Sequence, residues 1–268
     1  MRDHIVSLDA DHPGFSDPEY RRRRDEIALM APPMGSGEPP RLVDYTRQER
    51  ETWATVFAKL TKLYPSHACG DFIGVIDEIG FSTAEVPQLR DVSRFLTRKT
   101  GFQLQPVAGL VSAREFLEAL SRRVFCSTQY LRHHSQPFYT PEPDIVHELM
   151  GHAPMLAIPE FADLSQTIGE GSLNADDAQI EQLATLYWFT IEYGVVRDGG
   201  GLRAYGAGLL SSYGELEHAL SGDVEIRSFD PWEAKDTPYP ITTYQPLLWS
   251  VGSIREAFDT MAEFVASL

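Results

Sequence analysis

His147 and His152 stand five residues apart in Pro141-Glu142-Pro143-Asp144-Ile145-Val146-His147-Glu148-Leu149-Met150-Gly151-His152, with acidic residues before and between them. Imidazole nitrogens and carboxylate oxygens are ordinary donors to a divalent first-row metal. In the peptidase motif the two histidines are four apart and share one helix face. At a spacing of five, a regular helix turns the second side chain about 140° away from the first. One ion takes both only where the helix ends or distorts, and Gly151, just before the second histidine, permits a change of direction. The spacing therefore counts against a zinc hydrolase built on His147, Glu148 and His152. On this stretch alone, two unrelated helix histidines remain the plain alternative.

A third donor is available in residues 183–196, a run that is apolar nearly all round and reads as a buried helix. Glu192 is its only charged residue, with Trp188 and Phe189 one turn back. A buried carboxylate must be neutralised, paired with a cation or bound to metal. Joined to His147 and His152, it makes a two-histidine, one-carboxylate facial triad that leaves positions open on Fe(II) for oxygen and co-substrates. A core arginine as its partner is the alternative. Glu148 is divided between contact with the metal's surroundings and a plain helix surface.

The elements that must position these groups are mostly helices. Asp17-Pro18 is a cap-then-proline start for a helix running to about Met30, after a polar, irregular opening over residues 1–16. Residues 31–40, with four prolines and two glycines, form a loop. Trp53, Val56, Phe57, Leu60, Leu63 and Tyr64 make one apolar helical stripe, which Pro65 should end, with Ser66 capping the next helix up to Gly80. Further helices are expected over 86–99, stopped by Gly101, and over 112–121, the latter between short strands at 102–107 and 123–128. Another covers 254–265. The expected fold class is mainly α, one domain with a few short β-strands and no internal repeat.

Composition narrows the partners. The 268 residues carry a net charge of −16, which disfavours nucleic acid and anionic membranes. The basic run Arg21 to Arg24 is ringed by Asp17, Glu19, Asp25 and Glu26 and reads as a solvated helix face. Cys69 and Cys126 are the only cysteines, too few for a disulfide framework. No stretch approaches the ~20 apolar residues of a membrane span. A cytoplasmic protein is expected.

The stretch Thr140-Pro141-Glu142-Pro143-Asp144 with His147-Glu148 and Gly151-His152 resembles the pterin-dependent aromatic amino acid hydroxylases, the bacterial type in particular. So do residues 187–194 (Tyr-Trp-Phe-Thr-Ile-Glu-Tyr-Gly) and 204–212 (Ala-Tyr-Gly-Ala-Gly-Leu-Leu-Ser-Ser). Asp11-His12-Pro13-Gly14-Phe15, residues 101–109 and Tyr244-Gln245-Pro246-Leu247 extend the likeness over nearly the whole chain. The resemblance implies a catalytic iron- and pterin-binding domain at 11–268, after an irregular or disordered 1–10. It implies a mononuclear non-haem Fe(II) monooxygenase that uses tetrahydrobiopterin and O2 to hydroxylate an aromatic amino acid ring.

By position in these motifs, His147, His152 and Glu192 match the iron ligands. Arg132 and Thr140 match the residues that bind the substrate carboxylate, with Ser211 in support; a guanidinium grips a carboxylate through two parallel hydrogen bonds. Pro143 and Trp188 match the walls of the aromatic pocket. Phe116 matches the ring stacked on the pterin, Gly109 and Val111 its backbone contacts, and Glu148 and Tyr187 its polar neighbours. Cys126 stands where relatives place a histidine beside the pterin, and Ala113 where they often have serine. By resemblance, Trp188 favours a phenylalanine or tyrosine enzyme over a tryptophan one, and the apolar Ile241, where tyrosine hydroxylases tend to carry aspartate, favours phenylalanine; tryptophan 5-hydroxylation and phenylalanine 3-hydroxylation follow. Without a regulatory segment ahead of Asp11 or a heptad tail after residue 265, a monomer is expected. A metal-stabilised binding protein is the non-catalytic rival.

Overall fold

The computed structural model describes residues 8, 10, 12–109 and 111–268. The irregular opening expected at residues 1–10 therefore falls largely outside the described residues, as do Asp11 and Leu110. The first helix, Pro18–Ala28, is capped by the Asp17 carboxylate, which accepts from the Glu19 and Tyr20 amides at 2.9 and 3.0 Å. Thr46 and Glu49 form a reciprocal capping box on Arg47–His67, which buries Trp53, Val56, Leu60 and Tyr64.

Pro65 does not end that helix. It removes one amide in the last turn, and the ladder closes beyond it through the Ala68 amide to the Tyr64 carbonyl at 2.9 Å. Ser66 consequently lies inside the helix and caps nothing. The next helix, Gly70–Ile79, starts from Cys69, which offers no side-chain cap. A distant carboxylate replaces it: Asp198 accepts from the Gly70 amide at 2.7 Å. Gly80 ends this helix at φ 73°, in the left-handed region that favours glycine. Leu89–Lys99 begins three residues later than its apolar pattern suggested, and Gly101 follows at φ 82°.

Strands β1 (Gln103–Pro106) and β2 (Val124–Ser127) pair in parallel and are bridged by the helix Ala113–Ser121. That helix crosses Pro159–Ser172, where a Cβ on Gly169 would press on the Ser121 amide and lie 2.7 Å from the Leu117 carbonyl. The C-terminal helix, Ile254–Ala266, packs against the same long helix.

A second sheet was not foreseen. Its strands β3 (Val195–Asp198), β4 (Gly201–Ala204), β5 (Glu225–Ser228) and β6 (Leu247–Val251) lie in the order β4-β3-β6-β5. β3 and β4 are antiparallel across Gly199 and Gly200, while β6 runs parallel to both of its neighbours. The run 183–196 is accordingly not one helix. It comprises the end of Asp177–Tyr187, a wider turn at Trp188–Glu192, and then the start of β3. Continuous apolarity suits a buried helix and a buried strand equally, and length alone does not separate them. The fold is mainly helical with short strands, and no helix among the described residues is long and apolar enough to cross a membrane.

Gly169→Ala should lower the melting temperature by several degrees, because overpacking a close helix crossing costs about 1–3 kcal/mol. Metal binding should be unchanged, since neither histidine lies on either of the crossing helices. Thermal unfolding followed by circular dichroism checks the first and metal titration the second.

Candidate metal centre and its two cavities

The helix Ile145–His147 is capped by Asp144, which accepts from the His147 amide at 3.1 Å. It continues as a π-turn over Glu148–His152 and resumes as Ala153–Leu156. A π-turn closes its hydrogen bond five residues on, so residues five apart return to one face. His152 Nε2 thereby stands 2.9 Å from His147 Nε2. This is the distortion that the spacing required, but Gly151 does not supply it as a hinge. Its φ is not positive; instead, a Cβ there would lie 2.5 Å from the Ala207 carbonyl. Glycine serves close packing between the π-turn and the helix Ala207–Ser211.

Glu192 ends a second π-turn, Trp188–Glu192. Its Oε1 lies 3.0 Å from His152 Nε2 and its Oε2 3.6 Å from His147 Nε2. Gly206 and Gly208 pack against the Glu192 carbonyl; a Cβ on Gly208 would stand 3.0 Å from it.

The donor set fits a small divalent cation. The Ser211 hydroxyl donates to the Ala207 carbonyl at 2.7 Å, so its oxygen accepts from His147 Nδ1–H at 2.8 Å. That fixes the tautomer and leaves the Nε2 lone pair pointing at the other donors. Burial pushes His147 down to about 4, keeping it neutral. Burial also works against charge on Glu192, but the two imidazoles outweigh it and hold the carboxyl at about 2. On His152 burial is outweighed by the Glu192 carboxylate beside it, so its pKa is raised. Donors at right angles on bonds of about 2.1 Å stand about 3 Å apart, close to the separations here.

Glu148 also offers an oxygen within 4.8 Å of both histidine donors. It differs from Glu192 in kind. Its Oε1 accepts from the Thr128 amide and hydroxyl at 3.0 and 3.2 Å, and burial lifts its carboxyl to about 8. A carboxyl held towards its neutral form is a poorer metal ligand than the Glu192 carboxylate.

Two cavities meet at the donors. One, of about 220 Å³, is lined by Arg132, Thr140, Ser211 and Ile241 among others. The other, of about 380 Å³, is lined by Gly109, Val111, Phe116, Cys126, Glu148 and Tyr187 among others. Pro143, His147, Trp188 and Glu192 wall both. The structure thus gathers every residue that the sequence singled out around one centre.

Their individual contacts refine the expectations. Arg132 directs Nε and Nη2 in parallel onto Asp144 at 2.9 and 2.7 Å, a pair 5% and 0% exposed. The parallel grip expected for a ligand is therefore spent on Asp144, and what remains is the end of the guanidinium, where Nη1 has one long bond of 3.3 Å to Pro137. Thr140 donates to the Glu142 carbonyl at 2.9 Å. Trp188 stacks on Tyr239 at 4.5 Å, and its Nε1–H donates to Gln245 Oε1 at 3.0 Å. Phe116 meets Tyr187 edge to face at 5.3 Å, and the Tyr187 hydroxyl is buried beside the Glu192 carboxylate. Burial pushes the Cys126 thiol up to about 12, so it stays protonated.

Asp144, Gln245 and Tyr239 were not singled out from the sequence. Asp144 had a readable signal, an aspartate three residues before His147 at a helix start. Tyr239 had none, because it arrives from a loop.

Ser211→Ala should weaken divalent metal binding about 10- to 100-fold, the usual effect of losing the partner that orients a ligating histidine. Titration of the metal-free protein with Fe(II) under anaerobic conditions measures it. Unchanged affinity would show that the tautomer needs no lock.

A family model described as biopterin-dependent aromatic amino acid hydroxylase matches residues 2–268. Protein henna of Drosophila melanogaster is 54% identical over 265 residues, an alignment taking in 97% of this chain and 59% of that protein. Tyrosine 3-monooxygenase of Mus musculus is 51% identical over 265 residues, with 97% and 53% covered. The chain thus spans somewhat over half the length of these curated relatives. Among solved structures, phenylalanine hydroxylase of Chromobacterium violaceum with bound iron(III) and 7,8-dihydrobiopterin superposes with a TM-score of 0.82 at 29% identity, covering 98% of this chain and 93% of that one.

Proposed function

The chain belongs to the biopterin-dependent aromatic amino acid hydroxylase family, and we propose that it converts phenylalanine to tyrosine using Fe(II), a reduced pterin such as tetrahydrobiopterin, and O2. The observation that carries this reading is the position of the donor set: His147, His152 and Glu192 stand where two cavities of different character meet. One ligand can approach the donors from each side.

His147, His152 and Glu192 hold the iron in this reading. Iron and reduced pterin, when bound, would supply the activation of O2, with one oxygen atom going to the ring and the other leaving on the pterin, which is oxidised to a hydroxypterin. The protein's own part is to bind, orient and keep water out. The free end of Arg132 takes the substrate carboxylate, and Thr140 and Ser211 stand on the same cavity wall. Pro143 and Trp188 flank the aromatic ring between that anchor and the metal. Gln245 and Tyr239 hold the Trp188 indole plane, so the ring's approach is set by a wall that does not rotate.

The larger cavity suits the pterin. Phe116 offers an aromatic face, Glu148 a carboxyl and Tyr187 a buried hydroxyl, while Gly109 and Val111 bring backbone to the same wall. Cys126 occupies the site of an expected imidazole with a smaller, neutral thiol, which leaves orientation of the pterin to the other groups. Phenylalanine is preferred over tyrosine because Ile241 puts an apolar side chain on the substrate cavity where tyrosine hydroxylases tend to carry aspartate.

Turnover with Fe(II), tetrahydrobiopterin and O2, offering phenylalanine, tyrosine and tryptophan separately, should give tyrosine from phenylalanine as the main product. Mass spectrometry of the product identifies substrate and ring position, and no hydroxylated product from any of the three would sink the reading. Glu192→Gln should abolish coupled turnover and weaken iron binding. Arg132→Lys should chiefly raise KM for phenylalanine, since a lysine ammonium cannot hold Asp144 and a ligand carboxylate with one planar fork.

A further inference from the structure

Three carboxylates line the smaller cavity: Glu142, Glu192 and Glu215. Two of them are matched. Glu142 meets Arg24 and, at 3.1 Å, His12 Nε2. Glu192 faces the two histidines. Glu215 is different. It is only 7% exposed, and no cationic side chain among the described residues forms an ion pair with it. The one hydrogen bond to its carboxylate comes from the Gln245 amide, at a long 3.5 Å. A carboxylate so enclosed and so weakly partnered is costly to keep ionised, and burial lifts its carboxyl to about 7.

The cavity's permanent cation is Arg132, and its parallel edge already serves Asp144. The wall therefore carries one guanidinium end and one unmatched carboxylate. A free α-amino acid has the complementary charges, a carboxylate and an ammonium on the same carbon. We propose that Glu215 is the ammonium-recognising residue of the substrate cavity, so that the protein selects free aromatic amino acids over aromatic acids that lack the amine. The assignment rests on the hydroxylase reading above and specifies how its substrate is chosen.

Two further observations bear on it. Glu215 sits in the first turn of the helix Tyr213–Ala219, whose start is fixed by the Ser212 hydroxyl accepting from the Glu215 amide at 3.4 Å. Its backbone is thus anchored directly after Ser211. Gln245 holds both ends of the pocket: its side chain bonds the Trp188 indole and its amide bonds Glu215. One residue therefore sets the aromatic wall relative to the carboxylate.

A space-filling carboxyl would give a different response from an ammonium acceptor, and paired ligands separate the two. The iron- and pterin-loaded protein, kept anaerobic, is titrated calorimetrically with L-phenylalanine and with 3-phenylpropanoate. Wild type should bind phenylalanine at least about tenfold more tightly. Glu215→Gln should weaken phenylalanine about 10- to 100-fold while leaving 3-phenylpropanoate unchanged or tighter, and Glu215→Asp should keep the preference. Parallel weakening of both ligands, or an intact preference in Glu215→Gln, overturns the assignment. Should that variant not fold, the wild-type pair decides: a wild type that hydroxylates phenylalanine yet binds both ligands equally refutes the role of Glu215 and leaves the reaction standing. A wild type that neither binds nor hydroxylates any aromatic amino acid overturns both.

Discussion

The site depends on a register of five residues. His147 and His152 share one face because a π-turn holds them there, and Glu192 reaches them from the end of another. Such turns are less favourable than α-helical ones, and isolated helices do not keep them. Here the surroundings impose them. Gly151 admits the Ala207 carbonyl at the first turn, and Gly206 and Gly208 admit the Glu192 carbonyl at the second. The helix Ala207–Ser211 lies between both turns and also gives Ser211 to His147. Remove that helix and neither turn has a reason to persist.

Apart from Glu215, the charges inside the site are arranged in closed pairs. Asp144 answers Arg132, Glu142 answers Arg24 and His12, and Glu192 answers the imidazoles. Breaking any one leaves a buried charge behind, which costs more than the pair itself contributes. The segment from Glu142 to His152 supplies a member of each pair. It ties the first helix to the cavity, holds the guanidinium, caps its own helix and presents both histidines. Its density of acids is explained by these tasks together, not by any one of them.

Much of this was legible in the chain. The paired histidines, the capped helix start at Asp17 and the stops at Gly80 and Gly101 all act through neighbours a few residues away. What was missed acts at a distance. The four-residue strands of the second sheet have too little pattern of their own and are fixed by partners up to some fifty positions on, as Val195 is by Ser250. The cap of the helix Gly70–Ile79 comes from Asp198, and the hold on Trp188 comes from Gln245. Gly151 shows a third kind of error. Its importance was visible, but its reason, a carbonyl pressed against its α-carbon, belongs to a segment more than fifty residues later.

Pro143, His147, Trp188 and Glu192 belong to both cavities at once. Two occupants that share walls cannot have independent affinities. Whatever the first does to the position of Trp188 or Pro143 is already done when the second arrives, and thermodynamic reciprocity makes the effect equal in both directions. Any coupling between occupants of the two cavities would therefore run through these four shared residues.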